Sequence, residues 1–401
     1  MLNVSPNLRP FRFKSSTMVT LVFMSTVIGS FEFQYQLFFL FSICFLFIYL
    51  LENGYKYKLL DVLCLGLAFI SLTSALVRGQ FYPFTFLSIA TAGVLFNVLL
   101  YHSKDYSFEF LKRFIVAVSF FVLLFISFSF IFVFSFEADS IYKIFDWLGL
   151  VFKIGGSSSG YTSSDLVIPL LITNCLVMPQ ASVFKRFWLA LLTLFVVIIC
   201  NKIILLLAII LLYLLFVLNY RFTKVCFLAV VLIVNLYPYF MIELYYLGIF
   251  NEPEIDLLLN FRGRIWAEAV GLLDAGGRLS IKDFIFGVSN PEIRVLVPFS
   301  AVKEYMTVSF HSGLLRLLVM EGYLVFFIGL NGLLLFLYKT CMKVGLKKGR
   351  YALSYICAYV LLLVSDGSIF AGSVWITGLL LPVIILLHTE FREFNRTIRH
   401  I

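Results

Sequence analysis

The chain has 401 residues, of which 62% are hydrophobic and only 13% charged, with a formal net charge of +9. A soluble globular domain is close to half apolar and a quarter charged, so the composition excludes a soluble enzyme and points to an integral membrane protein with many spans. The positive charge follows from loop placement, as set out below, and does not indicate a nucleic-acid partner.

A helix needs about 20 apolar residues to cross the hydrocarbon core. On that scale the sequence offers about twelve spans, at 16–31, 35–51, 59–77, 82–101, 114–136, 164–180, 187–200, 203–219, 225–244, 313–338, 351–366 and 369–388. The seventh and eighth are short and meet at Asn201-Lys202, as a broken hairpin would. The expected fold class is therefore all-α: a polytopic membrane protein of about 12 transmembrane helices, with one large outer loop that contains short helices. Helices 1–9 occupy residues 1–247 and include a small outer loop at 137–164. The large loop covers 248–312, and helices 10–12 fill 313–401. Arg9, Arg12 and Lys14 precede the first apolar run, and no small-residue cleavage site follows it. The first span therefore reads as a retained anchor.

Charge sets the orientation. Twenty of the 31 Lys and Arg residues fall on the side that holds both termini. The short loops of the opposite side hold four, and the other seven lie in or at the end of the long loop. Short cytoplasmic loops concentrate Lys and Arg, so both termini are expected in the cytoplasm and the long loop outside. In a bacterium this means the inner (cytoplasmic) membrane, with the loop in the periplasm.

Gly155-Gly-Ser-Ser-Ser-Gly160 in the small outer loop reads as a flexible turn, because it lacks the lysine and the strand-to-helix setting of a P-loop. In the long loop, Ile265, Trp266, Ala269, Val270 and Leu273 recur at helical spacing. They predict an amphipathic helix of about three turns lying along the membrane surface. Gly276-Gly277 would end it, Gly287 to Val297 looks irregular, and the next helix starts near His311. The seven Cys show no CxxC or His/Cys spacing, which implies neither a disulfide framework nor a thiolate metal site.

Five outer cations attract attention. Arg78 ends the third span, Lys202 tips the short hairpin, Arg262 and Arg264 open the long loop, and Arg316 lies just inside a helix start. Charge at membrane depth is costly and usually faces a cavity or a partner. Converging Arg and Lys suit a lipid pyrophosphate, since Arg offers bidentate contacts and Lys a point charge. The alternative use of such side chains is snorkelling to headgroups. Of the four histidines (His102, His311, His388 and His400), only His311 faces outward. It stands at an expected helix N-terminus, where a neutral imidazole is favoured and suits a base or hydrogen-bond donor. A lone histidine also serves structural ends. Glu252-Pro-Glu254-Ile-Asp256 reads as a solvated loop, since a hard cation needs several converging oxygens.

Phe261-Arg-Gly-Arg-Ile-Trp266, then Phe286-Gly287, then His311-Ser312 with Glu321-Gly322 nine residues on, resembles the signature loop of the O-antigen polymerase and O-antigen ligase superfamily. These are polytopic glycosyltransferases with a catalytic outer loop. The resemblance covers about 60 of the 401 residues. Asn201-Lys202 stands where that family often has Ser-Arg, so charge is kept but the fork is lost. Val325 replaces a small residue that ligases often show.

The resemblance implies a polymerase that joins undecaprenyl-pyrophosphate-linked repeat units on the periplasmic face, in lipopolysaccharide or related polysaccharide synthesis. Arg264 and His311 are the catalytic residues it points to. Arg262, Lys202, Arg78, Arg316 and Trp266 would bind pyrophosphate or glycan. It implies a lipid-linked oligosaccharide and membrane lipids as partners, and admits a chain-length regulator protein. Neither metal nor other cofactor is expected, since the outer loop has no Asp-x-Asp. Three alternatives stand beside it: an O-antigen ligase acting on lipid A-core, and, more distantly, a flippase or transporter of the lipid-linked oligosaccharide and a non-catalytic membrane scaffold.

Overall fold

The computed structural model describes residues 59–79, 182–199, 203–252, 254–255, 262–288, 293–296, 305–308, 312–343 and 346–365, with isolated positions at 89, 113, 171, 174, 383 and 387. The spans expected at 16–31, 35–51, 82–101, 114–136, 164–180 and 369–388 lie outside the described residues but for those isolated positions, each of which is helical.

The first described helix, α1 (Leu59–Val77), matches its expected bounds. Its polarity is inverted relative to a helix in water. Leu59, Val62, Leu65, Phe69 and Leu76 are exposed, while Asp61, Ser71 and Ser74 are buried. Water would reverse that arrangement, whereas lipid favours it. Helices α2 (Val183–Ile199), α3 (Ile203–Val217) and α4 (Tyr220–Tyr246) follow. Asn219 caps α4 by accepting the Phe222 N–H at 2.9 Å, which satisfies one of the donors that the first turn leaves open.

The long apolar stretch after residue 312 is a single rod in sequence but three segments in space. These are α7 (Gly313–Leu324), a π-helical segment Val325–Leu330, and α8 (Asn331–Lys343). The last described helix is α9 (Leu346–Ser365). Among the described residues, three helices are long and apolar enough to cross a membrane: Leu59–Val77, Tyr220–Tyr246 and Gly313–Met342. The described part is thus a helical, membrane-embedded protein.

The α7–α8 rod organises the bundle. Helix α4 runs antiparallel to it, since Tyr220 meets Met342, Phe227 stacks on Tyr338, Asn235 meets Asn331 and Tyr237 meets Ser312. Helix α1 is antiparallel to it as well, with Ser71 at Glu321 and Leu67 at Gly329. Helix α9 closes the core against α3 and α4. Its Tyr355 and Tyr359 are fully buried and stack at 5.8 Å. Asn235 and Asn331 exchange amide hydrogen bonds of 2.9 and 2.8 Å between helices. Without water, such pairs and close packing hold helices together.

Between α4 and α7 lie a 3-10 turn, Ile249–Asn251, then α5 (Arg262–Gly271) and α6 (Ile281–Phe286). Next come β1 (Ile293–Leu296) and β2 (Tyr305–Val308), paired antiparallel with Ile293 opposite Val308. The loop helix appears at the expected place, but two features differ. It stops at Gly271 rather than at Gly276-Gly277, because Asp274 pairs with Leu279 and its carboxylate accepts the Gly277 N–H, closing a tight turn. Its apolar face is also covered by protein. Ile265, Ala269, Val270 and Leu273 are buried, and the helix packs on α4, the 3-10 turn, α7 and β1. The stretch expected to be irregular contains β1. Its branched residues are poor evidence on their own, and only the partner strand, further along the chain, makes it a strand.

Candidate functional site

The described residues of the sequence signature lie on α7 or on elements that pack against it. Ser312 is the N-cap of α7: its Oγ accepts the Leu315 N–H at 3.2 Å and shares a 2.8 Å hydrogen bond with the hydroxyl of Tyr237 on α4. Both side chains are buried. An N-cap serine satisfies a donor that the helix cannot, and here it also fastens the helix start to a neighbouring span. His311, the adjoining residue, lies outside the described residues, as does Lys202.

Two glycines carry the next contact. Gly287 ends α6 with φ 79°, ψ 174°, and Gly322 breaks α7 with φ 83°, ψ 166°. This corner of conformational space is essentially reserved for glycine. The two backbones touch. A Cβ on Gly322 would lie 2.3 Å from the Ile285 carbonyl oxygen, and one on Gly287 would lie 2.5 Å from that of Met320. The Val288 N–H then donates to the Val319 carbonyl at 2.7 Å. The Phe286-Gly287 and Glu321-Gly322 pieces of the signature, far apart in the chain, thus form one backbone crossing. Tyr323 adds to it by stacking on Phe284 at 4.9 Å and accepting the Tyr239 hydroxyl hydrogen at 2.9 Å.

Polar side chains gather beside the crossing. The Ser71 hydroxyl of α1 donates to Glu321 Oε2 at 2.7 Å. Among the described residues, Arg78 and Arg316 are charged groups whose field reaches that carboxylate. Arg78 donates from Nε to the Ser74 carbonyl at 3.1 Å and reaches the Val288 carbonyl from Nη1 at 3.5 Å. Arg316 occupies the second turn of α7 and points Nε at the Met320 sulfur, 3.3 Å away. Arg78 and Arg316, two of the expected outer cations, thus reach partners on either side of the crossing, at Val288 and at Met320.

Arg262, Arg264 and Trp266 lie on α5, half-buried. Trp266 packs edge-on against Phe250 at 6.1 Å. Helices α5 and α6 both pack on α7, so the Arg-Gly-Arg turn and the Arg78–Arg316 pair are tied to one element.

Sequence reasoning gave no role to Glu321, Ser71 or Tyr237. A signal for the first was present, because an acid inside an apolar span is a functional candidate by default. Ser71, Ser74 and Arg78 also repeat at helical spacing along one face of α1. Tyr237 offers no such signal among the many aromatic residues of the spans.

No family model, no curated protein and no solved structure matches this chain.

Proposed function

We propose that the protein is a membrane glycosyltransferase that polymerises undecaprenyl-pyrophosphate-linked repeat units, as an O-antigen or related surface-polysaccharide polymerase. The observation that carries this reading is the backbone crossing of Gly287 with Gly322. It draws separate pieces of the loop signature together and sets them beside Arg78 and Arg316. A fixed backbone contact with basic side chains around it suits a phosphate-bearing substrate at the membrane edge.

In this reaction a hydroxyl oxygen of the acceptor repeat unit attacks the anomeric carbon of the donor glycan. The bond from that carbon to the pyrophosphate oxygen breaks, and the lipid pyrophosphate leaves with the electron pair. His311 takes the hydroxyl proton, orients the hydroxyl or contacts the pyrophosphate. Arg264, helped by Arg262 and Lys202, stabilises the charge that develops on the departing pyrophosphate. Trp266, Arg78 and Arg316 hold the substrate around it.

Purified full-length protein in liposomes, given lipid-linked repeat units and no other protein, should lengthen them. Arg264→Ala and His311→Ala should each cut elongation by about 100-fold or more, the scale of losing one charge-stabilising donor. Normal product ladders from both variants, at normal protein levels, would sink the assignment. Transfer to lipid A-core without elongation would favour the ligase, and movement of the lipid without chemistry the transporter.

A further inference from the structure

The geometry points to a binding site for an anionic phospholipid at the end of the bundle opposite the long loop, where Arg350 and Lys224 receive the lipid phosphate beside the turn that joins α3 to α4. The site is separate from the one assigned to glycosyl transfer and does not depend on that reading.

The turn Leu218-Asn219 and the first residue of α4, Tyr220, hold both cations. The Leu218 carbonyl accepts from Arg350 Nη1 at 3.0 Å. The Lys224 ammonium stands over the Tyr220 ring, 4.6 Å from its centroid. Tyr220 also donates its hydroxyl hydrogen to the Met342 sulfur at 2.8 Å, which ties the end of α8 to the same turn. Helix α9 starts against it too. A Cβ on Gly349 would lie 3.7 Å from the Tyr220 hydroxyl oxygen and 2.4 Å from the Cys341 carbonyl oxygen. One cation from α4 and one from α9 are therefore anchored at a place where three helix ends meet in fixed register.

Arg350 is only half-buried, yet its Nε is buried with no hydrogen-bond partner. Its Nη2 reaches the Tyr351 hydroxyl at 3.4 Å. A guanidinium has five N–H donors, so these contacts leave most of them unused. No carboxylate balances the charge. Among the described residues, α3, α8 and α9 contain no Asp or Glu, and Glu243 of α4 lies near the far end of that helix. Asp61 of α1 is buried and forms no ion pair with either cation. A cation sunk between spans is costly without a counter-charge. Charge placement in short loops asks only for exposed Lys and Arg, and it does not account for a guanidinium in this setting.

The surroundings select the occupant. Val217 at the end of α3, and Phe222 and Val225 at the start of α4, are exposed. They form an apolar rim that suits acyl chains rather than a soluble anion. Basic pockets between helix ends suit anionic headgroups. Arg offers paired donors to phosphate oxygens, and Lys adds a point charge.

The test uses full-length protein in phosphatidylcholine nanodiscs, with phosphatidylglycerol added stepwise at constant ionic strength and thermal unfolding as the readout. Wild type should gain stability as phosphatidylglycerol rises. Arg350→Gln should need about ten-fold more of it for the same gain, the scale of a charge-assisted hydrogen bond. Lys224→Gln should need about five-fold more, the scale of one basic side chain at an anionic surface. Lys185→Gln removes an exposed cation at the start of α2, which packs back on α3, and should keep the wild-type response. Stability in pure phosphatidylcholine reads the Arg350–Leu218 tie by itself, so a purely structural loss lowers that baseline and leaves the lipid response intact. Lys224→Gln decides the matter should Arg350→Gln fail to fold. A wild-type response in Arg350→Gln, or in Lys224→Gln where the former does not fold, overturns the inference. Equal weakening by Lys185→Gln does so as well, since it reduces the effect to general attraction to a charged surface. So does a wild-type protein indifferent to phosphatidylglycerol, or one that gains the same stability from inorganic phosphate in pure phosphatidylcholine.

Discussion

At the scale of single residues, the two glycines of the crossing are the least replaceable positions. Alanine at Gly322 would need a backbone conformation that costs about 1–3 kcal/mol for any residue with a side chain. Its methyl group would also meet the Ile285 carbonyl oxygen at 2.3 Å, and backbone cannot give way as a flexible side chain can. Gly322→Ala should therefore lower folded yield sharply, read as monodisperse protein by size-exclusion chromatography after membrane extraction. Gly332→Ala, where a Cβ meets nothing within 4 Å, serves as the control and should leave yield unchanged. Equal yields from both would show that the crossing does not hold α7 to α6. Sequence alone identified both motif glycines but not their relation. Gly287 follows a short helix and reads as an ordinary stop, and Gly322 sits in an apolar run where nothing marks a break. Each explains the other only once they are seen in contact.

At the scale of elements, the amide pair is the clearest polar tie between spans. Asn235 and Asn331 donate to each other, and each also donates to a carbonyl of its own helix, at Val231 and Phe327. Asn235→Leu leaves the Asn331 amide without its cross-helix partner, and Asn331→Leu does the converse. Each should cost about 1 kcal/mol, at the scale measured for hydrogen bonds between membrane helices. The double substitution should cost less than the sum of the two, since neither helix then carries an orphaned amide. Thermal unfolding in detergent checks this, and additive losses would refute the pairing as a coupled unit. The bounds of α1 were legible because its apolar run is isolated and ends at Arg78-Gly79. The early end of α5 was not, because the turn that stops it depends on Asp274 finding Leu279 and Gly277. That contact is specific to the folded loop.

At the scale of the whole molecule, hydropathy identified a membrane protein and the lengths of its described spans. The antiparallel arrangement of α1 and α4 around the α7–α8 rod needed coordinates. Charge counts give the expected orientation, with the α5–α6 loop outside. Ala275 is exposed in the turn after α5, and Arg221 is exposed at the opposite end of α4. A cysteine at Ala275 should react with a membrane-impermeant maleimide in cells with a permeabilised outer envelope. One at Arg221 should react only after the inner membrane is opened. Among the described cysteines, Cys64, Cys341 and Cys357 are buried and Cys226 is half-buried, so labelling is read against the protein without the added cysteine. The reverse pattern would invert the expected orientation and remove the loop from the side that the proposed reaction requires. Of the candidate site, Arg78, Arg262, Arg264 and Arg316 were singled out in the sequence and lie among the described residues, whereas His311 and Lys202 lie outside them. The tie of Ser71 to Glu321 was not legible, since the serine comes from a helix early in the chain.

The π segment Val325–Leu330 separates the two halves of the long span. A π turn takes up an extra residue and so shifts the angular phase of everything beyond it. Above the segment, phase is dictated by Gly322, Glu321 and Ser312; below it, by Asn331, Tyr338 and Met342. Each half is keyed to its own neighbours through an interruption that absorbs the mismatch. The half that carries the crossing can therefore change by substitution with no compensating change in the half keyed to Asn331, Tyr338 and Met342.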